Sequence, residues 1–334
     1  MRTAQLIGPR QMVVAERRAP EPGAGDVRIA VHVVGLCGTD MEFYSGRREN
    51  GYPFILGHEC AGTIDALGAD VKGWTLGDRV TVRPNFGCGR CERCREARDN
   101  ICPHSRGLGV TIDGCLAESI VVPARYVFAL PDGMGFEAGA LIEPLAVAER
   151  AVRRAGVCPG DRVLVLGAGT IGLFATRCAV LGRADVVVCD PIEERLGVSR
   201  TLGARHAVRR AAELDALRGD GFDAVIETAG VSDTVPIAVR QARPGGRVVL
   251  TGIPMDAASV ETRWVVWREL EIHGSFIYDI EDFASAAARI RDGSVQALDL
   301  VTHRFSLEQV SEAFERIASR GGLKALIKIR QEDI

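Results

Sequence analysis

Two groups of side chains in this chain have the types and spacing that metal chemistry needs. Cys88, Cys91, Cys94 and Cys102 follow the pattern C-x2-C-x2-C-x7-C in the segment CGRCERCREARDNIC. Four thiolates this close in sequence can reach one zinc ion at about 2.3 Å and leave it no open position, which makes the site structural. The second group is spread along the chain: Cys37 in GLCGTD, His58 and Glu59 in LGHEC, and Glu143 in LIEPLAVAE. One sulfur, one imidazole and one or two carboxylates suit a zinc with three protein ligands and an exchangeable fourth place, the arrangement used in catalysis. A zinc there can act as a Lewis acid on a substrate oxygen and stabilise the alkoxide from which hydride leaves.

A third motif points to a nucleotide. Gly167-Ala168-Gly169-Thr170-Ile171-Gly172 is GxGxxG. Alone it is weak, but here it follows the apolar run Arg162–Leu166 and opens a helical pattern. That context lets its glycines make the tight turn and the close approach to a pyrophosphate, which meets free N–H groups at the helix start. Asp190 ends the next apolar run, about twenty residues on, where a carboxylate accepts hydrogen bonds from the ribose hydroxyls and repels a 2′-phosphate. NAD is therefore expected over NADP, with Arg195, one helical turn further, as the residue that could meet a phosphate instead.

These groups need elements to hold them. Up to about residue 145 the chain shows short runs such as Val27–Val34 and Arg79–Val82, cut by Gly, Pro and Asp, which read as strands of a β-rich unit. The rhythm then changes. Glu143 to Ala155 reads as a helix, 161–169 as a buried strand and turn, Thr170 to Leu181 as a helix, 184–190 as a strand, Glu193 to Leu202 as a helix, and 222–230 and 246–252 as further strands. Strands alternating with helices make a doubly wound parallel sheet, so the expected fold class is α/β. After about residue 270 the pattern shortens, suggesting a return to the first domain. The expected division is 1–145 with a structural-zinc lobe near 86–104, then 146–272 for the nucleotide, then 273–334.

Composition bounds the partners. The chain has 334 residues, 47% of them hydrophobic, and a formal net charge of −3. No basic run offers a footprint for nucleic acid or an anionic membrane, and no apolar stretch approaches the length of a membrane span. The first residues, MRTAQLIGPR, lack the apolar core of a secretory signal, so a cytoplasmic location is expected. In a reducing compartment the remaining cysteines, Cys60, Cys115, Cys158, Cys178 and Cys189, read as buried thiols.

GLCGTD, GHEC-A-G, the four-cysteine lobe, EPLAVA and GAGTIG, in this order, make the whole chain resemble the zinc-dependent medium-chain dehydrogenase/reductase (alcohol dehydrogenase) family. Glu143 resembles its polyol branch, which includes sorbitol dehydrogenase. The resemblance implies a GroES-like catalytic domain, a Rossmann domain binding NAD, two zinc ions, and a nicotinamide that faces the catalytic zinc. It implies that Cys37, His58 and either Glu59 or Glu143 hold that zinc, and that Thr39 bonds the substrate oxygen and starts a proton relay. It also implies that Ile171, Asp190 and Arg195 lie at the NAD, and that Thr251-Gly252-Ile253 and Ser275-Phe276-Ile277 line the nicotinamide. The chain departs from the pattern at three substrate positions. Glu42 stands where relatives usually carry a histidine, and could take the proton or pair with a cationic substrate. Phe43 and Ile277 stand where sorbitol dehydrogenase has a tyrosine and an arginine. The implied activity is NAD-dependent oxidation of a secondary alcohol, a polyol, sugar or cyclitol, by a homodimer or homotetramer. The alternatives are an amino-alcohol dehydrogenase of the threonine type, and a nucleotide-binding protein without catalysis.

Overall fold

The computed structural model describes residues 1–319 and 322–330. It divides into two compact units, Met1–Glu143 with Ala287–Ile334, and Pro144–Ala286.

In the first unit, the strand Asp26–Gly35 is the hub. It pairs antiparallel with Glu59–Leu67, with Ser119–Pro123 and with Lys324–Lys328. The inward face of this sheet carries Val27, Ile29, Val31 and Val34, at most 1% exposed, against Leu116, Phe314 and Ile327. One register matters for chemistry. Gly35 lies opposite Glu59 on one side and Leu326 on the other. Continuing the second pairing by two residues brings Lys324 across from Cys37, because side chains and partners advance in step along an antiparallel ladder. The strand ends at Gly35 and the helix Gly38–Tyr44 starts at once, with Cys37 as its N-cap. Asp40 at the third helical position reaches back to the Cys37 N–H, the carboxylate half of a capping box.

The second unit is a six-stranded parallel sheet. Its strands lie in the spatial order His206–Val208, Asp185–Cys189, Arg162–Leu166, Phe222–Glu227, Ala242–Leu250, Glu271–Gly274. In chain order this is 3-2-1-4-5-6, the Rossmann arrangement, with the order reversing between Arg162–Leu166 and Phe222–Glu227. Val163, Leu164 and Val165 are all fully buried, as a strand covered on both faces by helices must be. The fifth strand begins earlier than its sequence suggests, at Ala242, and breaks register before Arg247, where Gly245 has φ +66°. One expectation fails here: Cys158 is exposed and Cys189 half-buried, because Cys158 sits in the turn before the first strand rather than in an element.

Candidate metal centres and dinucleotide site

Cys37, His58 and Glu59 each turn one ligand atom toward a common point, and these atoms lie within 4.8 Å of one another. Three local facts bring them there. Gly35 leaves room for the Glu59 carboxylate, since a Cβ at Gly35 would meet Glu59 Oε2 at 2.1 Å. Asp40, fully buried, accepts the N–H of Cys37 at 2.8 Å and that of Gly57 at 3.1 Å, so one carboxylate braces both ligand loops. Its Oδ1 also lies 3.8 Å from His58 Nδ1. Burial raises the Asp40 pKa, against the pull of His58 and the two backbone donors. Burial works against a charged His58, yet the thiol of Cys37, Asp40 and Glu143 hold its pKa well above the usual value. The Asp40 shift is set by burial, and the His58 shift by the anionic groups gathered around the imidazole.

Glu143 is buried, at 6% exposure, and is close enough to act on His58 and on Lys324. The structure does not bring it into the three-residue group. Glu59 is in turn held from behind by Lys324, whose Nζ donates to both Glu59 oxygens at 2.7 and 2.5 Å and to Leu36 O at 2.9 Å. Lys324 and Asp40 were both missed as functional residues in the sequence. Asp40 was visible inside GLCGTD, and Lys324 is one of only three lysines in a chain that otherwise uses arginine.

Thr39 is half-buried in the first turn of the same helix. Glu42 lies one turn on and forms an ion pair with Arg47, Oε2 to Nε 3.4 Å. Phe43 is 4% exposed and packs on Phe54 with ring centres 6.0 Å apart, while the Arg48 guanidinium lies 5.5 Å over its ring. It belongs to the core, and Arg48 covers it.

The four lobe cysteines also converge, with ligand atoms within 4.8 Å of one another. Cys88 and Cys94 sulfurs are 4.0 Å apart, and those of Cys91 and Cys102 3.7 Å. Backbone N–H groups point at the sulfurs: Cys91 at Cys88, and Cys88 and His104 at Cys102, each at 3.4 Å. The amides of Arg90 and Cys91 lower the Cys88 thiol to about 6, and burial pushes Cys94 up to about 12. Four sulfurs with this donor set fit a closed tetrahedral zinc, and the Cys37 group fits an open one.

In the second unit the glycine-rich turn has the required geometry. Gly167 has φ +94°, and a Cβ there would meet Ala229 N at 2.9 Å; at Gly172 one would meet Gly167 O at 1.9 Å. Gly169 faces open space and caps the helix Thr170–Leu181. Asp190 is 5% exposed, and its oxygens accept the N–H of Ala168 at 2.7 Å and of Ile192 at 2.9 Å. It braces the glycine turn while each oxygen keeps a lone pair for a ribose hydroxyl. Ile171 and Arg195 are half-buried. Thr251 and Gly252 follow the fifth strand and are half-buried, and Ile253 is exposed; Ser275 is buried and Phe276 exposed after the sixth. Ile277 has φ +53°, a left-handed backbone that a β-branched residue adopts only under constraint.

Residues 23–132 match the alcohol dehydrogenase GroES-like domain and residues 170–292 the zinc-binding dehydrogenase domain. Sorbitol dehydrogenase of Bacillus subtilis (strain 168) is 33% identical over 95% of this chain and 93% of its own. The chain belongs to the zinc-binding alcohol dehydrogenase family. Among solved structures of this family, galactitol-1-phosphate dehydrogenase from Escherichia coli superposes with a TM-score of 0.93 at 31% identity, covering 98% of this chain and 100% of that one. A zinc-binding dehydrogenase from Sinorhizobium meliloti 1021, bound to NADP, gives 0.92 at 31% identity over 98% and 99%. The two groups are consistent with the structural and catalytic zinc of this family.

Proposed function

We propose that the protein is a zinc- and NAD-dependent dehydrogenase that oxidises a secondary hydroxyl of a polyol, sugar or cyclitol. The observation that carries this is the convergence of Cys37, His58 and Glu59 with Asp40 bracing both loops, in a chain whose relatives include a sorbitol and a galactitol-1-phosphate dehydrogenase. When bound, the zinc supplies a Lewis acid for the alcohol oxygen and the nicotinamide accepts hydride. The chain's own residues do the rest. Cys37 and His58, with Glu59 or Glu143, hold the metal, and Asp40 fixes the loops that carry the first two. Thr39 Oγ1 would take the proton that leaves the substrate hydroxyl while its own hydroxyl proton goes to solvent water. Gly167, Gly169, Thr170 and Gly172 cradle the pyrophosphate, and Asp190 receives the ribose hydroxyls, which favours NAD although one relative binds NADP.

The strand Glu271–Gly274 is an open sheet edge, flanked by the exposed side chains Val266, Trp267 and Ile272. An unpaired edge with apolar cover supports homo-oligomerisation through this strand. No described helix is long and apolar enough to cross a membrane, and its free thiols suit the cytoplasm.

The test is NADH formation by zinc-replete protein on a panel of sorbitol, galactitol, their phosphates, inositol and threonine. Turnover of a polyol or cyclitol supports the proposal. Turnover confined to threonine, or none on any alcohol or carbonyl with both zinc sites filled, overturns it.

A further inference from the structure

Glu227 ends the fourth strand of the parallel sheet with a carboxylate that is wholly buried, at 0% exposure. A charged group at the end of an apolar strand costs free energy unless its environment is built for it. Here it is built. Glu227 Oε1 accepts three hydrogen bonds, from the N–H of Ala229 at 2.8 Å, the N–H of Gly230 at 3.0 Å and the hydroxyl of Thr234 at 2.7 Å. The side chain therefore folds the turn 228–230 back onto itself and ties it to the helix Thr234–Gln241.

That turn is a wedge. On one side Ala229 packs against the glycine-rich turn, since a Cβ on Gly167 would meet Ala229 N at 2.9 Å, and the Thr228 hydroxyl donates to Leu166 O at 2.9 Å and Gly167 O at 3.1 Å. On the other side Gly230 packs against Gly252, where a Cβ would meet Gly230 N at 2.3 Å and Glu227 Oε2 at 2.7 Å. The Glu227 carbonyl also accepts the N–H groups of Thr251 at 2.9 Å and Gly252 at 3.1 Å. One residue thus sets the distance between the turn that cradles the pyrophosphate and the turn assigned to the nicotinamide. Among the described residues, two buried oxygens at the ends of adjacent strands, Thr251 Oγ1 and Ser275 Oγ, have no hydrogen-bond partner. Buried oxygens without partners, at the carboxyl ends of parallel strands, mark a place where a polar ligand or ordered water completes the set.

We propose that Glu227 is a positioning residue for the dinucleotide, holding the pyrophosphate turn and the Thr251–Ile253 turn in the register that lets one molecule span both. The proposal rests on the assignment of this unit to NAD. Its signature is a split between whole and half ligands. A dinucleotide needs both turns at the right separation, whereas AMP needs only the Asp190 end.

The experiment compares NADH and AMP affinity, by fluorescence and calorimetry, in the zinc-replete wild type, Glu227→Gln and Glu227→Ala, with Thr234→Val as a milder variant that removes only the hydroxyl donor. The expected result is NADH binding about tenfold weaker in Glu227→Ala and severalfold weaker in Glu227→Gln, the worth of one or two net hydrogen bonds, with AMP binding changed less than about twofold. If Glu227→Ala does not fold, Glu227→Gln and Thr234→Val carry the comparison. NADH and AMP weakening in the same proportion, or NADH binding unchanged, overturns the proposal. Failure of the underlying assignment looks different: the wild type binds neither ligand, or Asp190→Ala leaves AMP affinity intact.

Discussion

Replacing Lys324 by methionine tests how the catalytic pocket is held together. Lys324 is 2% exposed and Glu59 1%, and the ammonium makes three contacts, two to Glu59 and one to Leu36 O. Burial opposes its charge, yet the Glu59 carboxylate leads a set of anions that keeps the pKa above its ordinary value. Methionine matches the stem in length, so packing changes little and the loss falls on the pair. Removing one partner of a buried pair costs about 3–5 kcal/mol, because the other charge stays behind without compensation. At roughly 2–4 °C per kcal/mol for a domain of this size, the metal-free variant should melt about 6–20 °C below the metal-free wild type. Zinc offers Glu59 a second cation. The zinc-loaded variant should therefore recover a large part of that loss, and Lys324→Met combined with Glu59→Gln should be more stable than Lys324→Met alone. Calorimetric melting of the three proteins with and without zinc reads all of this. A metal-free loss below about 1 kcal/mol, or an equal loss with and without zinc, would refute the reasoning.

Further outcomes follow from other parts of the structure. Cys91→Ser should reduce bound zinc by one equivalent per chain and expose the lobe around residues 88–102 to proteolysis, while NADH binding is unchanged; mass spectrometry of limited digests checks it. Asp190→Ser should raise the NADP-to-NAD affinity ratio at least tenfold but also weaken both, because Asp190 braces Ala168 and Ile192; titration of both cofactors measures the two effects together. The Asp279 carboxyl lies at about 2, burial being outweighed by the Asp282 N–H and the Arg153 guanidinium. Its folded pKa is below the ordinary 3.8, so its contribution is present above pH 4 and is lost as pH falls toward 2. After solvent screening this is worth about 1 kcal/mol, and Arg153→Met should flatten that slope in urea melts taken between pH 4 and 2 without abolishing it, because the Asp282 N–H and Arg150 still hold Asp279.

The sequence carried much of this molecule because its chemistry is written in local spacing. Four cysteines within fifteen residues can only converge, and a GxGxxG between an apolar strand and a helix has one common use. Periodicity was enough for the four inner strands of the parallel sheet, which are apolar runs, but not for the short and exposed edge strands His206–Val208 and Glu271–Gly274. What stayed hidden depends on long-range register. Lys324 meets Glu59 only because the strand Lys324–Lys328 pairs beside Gly35. Glu227 reads as a stray acid in FDAVIETAG until the turns on either side are seen to close on it. Phe43 was marked in the sequence only through resemblance, and its packing under Arg48 at 4% exposure depends on contacts that spacing does not announce.

The most direct measurement is zinc stoichiometry joined to turnover in the wild type, Cys37→Ser and His58→Ala. The expected result is two zinc ions per wild-type chain and one in each variant, with NADH formation from the polyol lost in both while NADH binding persists. Two zinc ions retained in either variant, or turnover surviving the loss of one, would contradict an electrophilic metal held by Cys37 and His58.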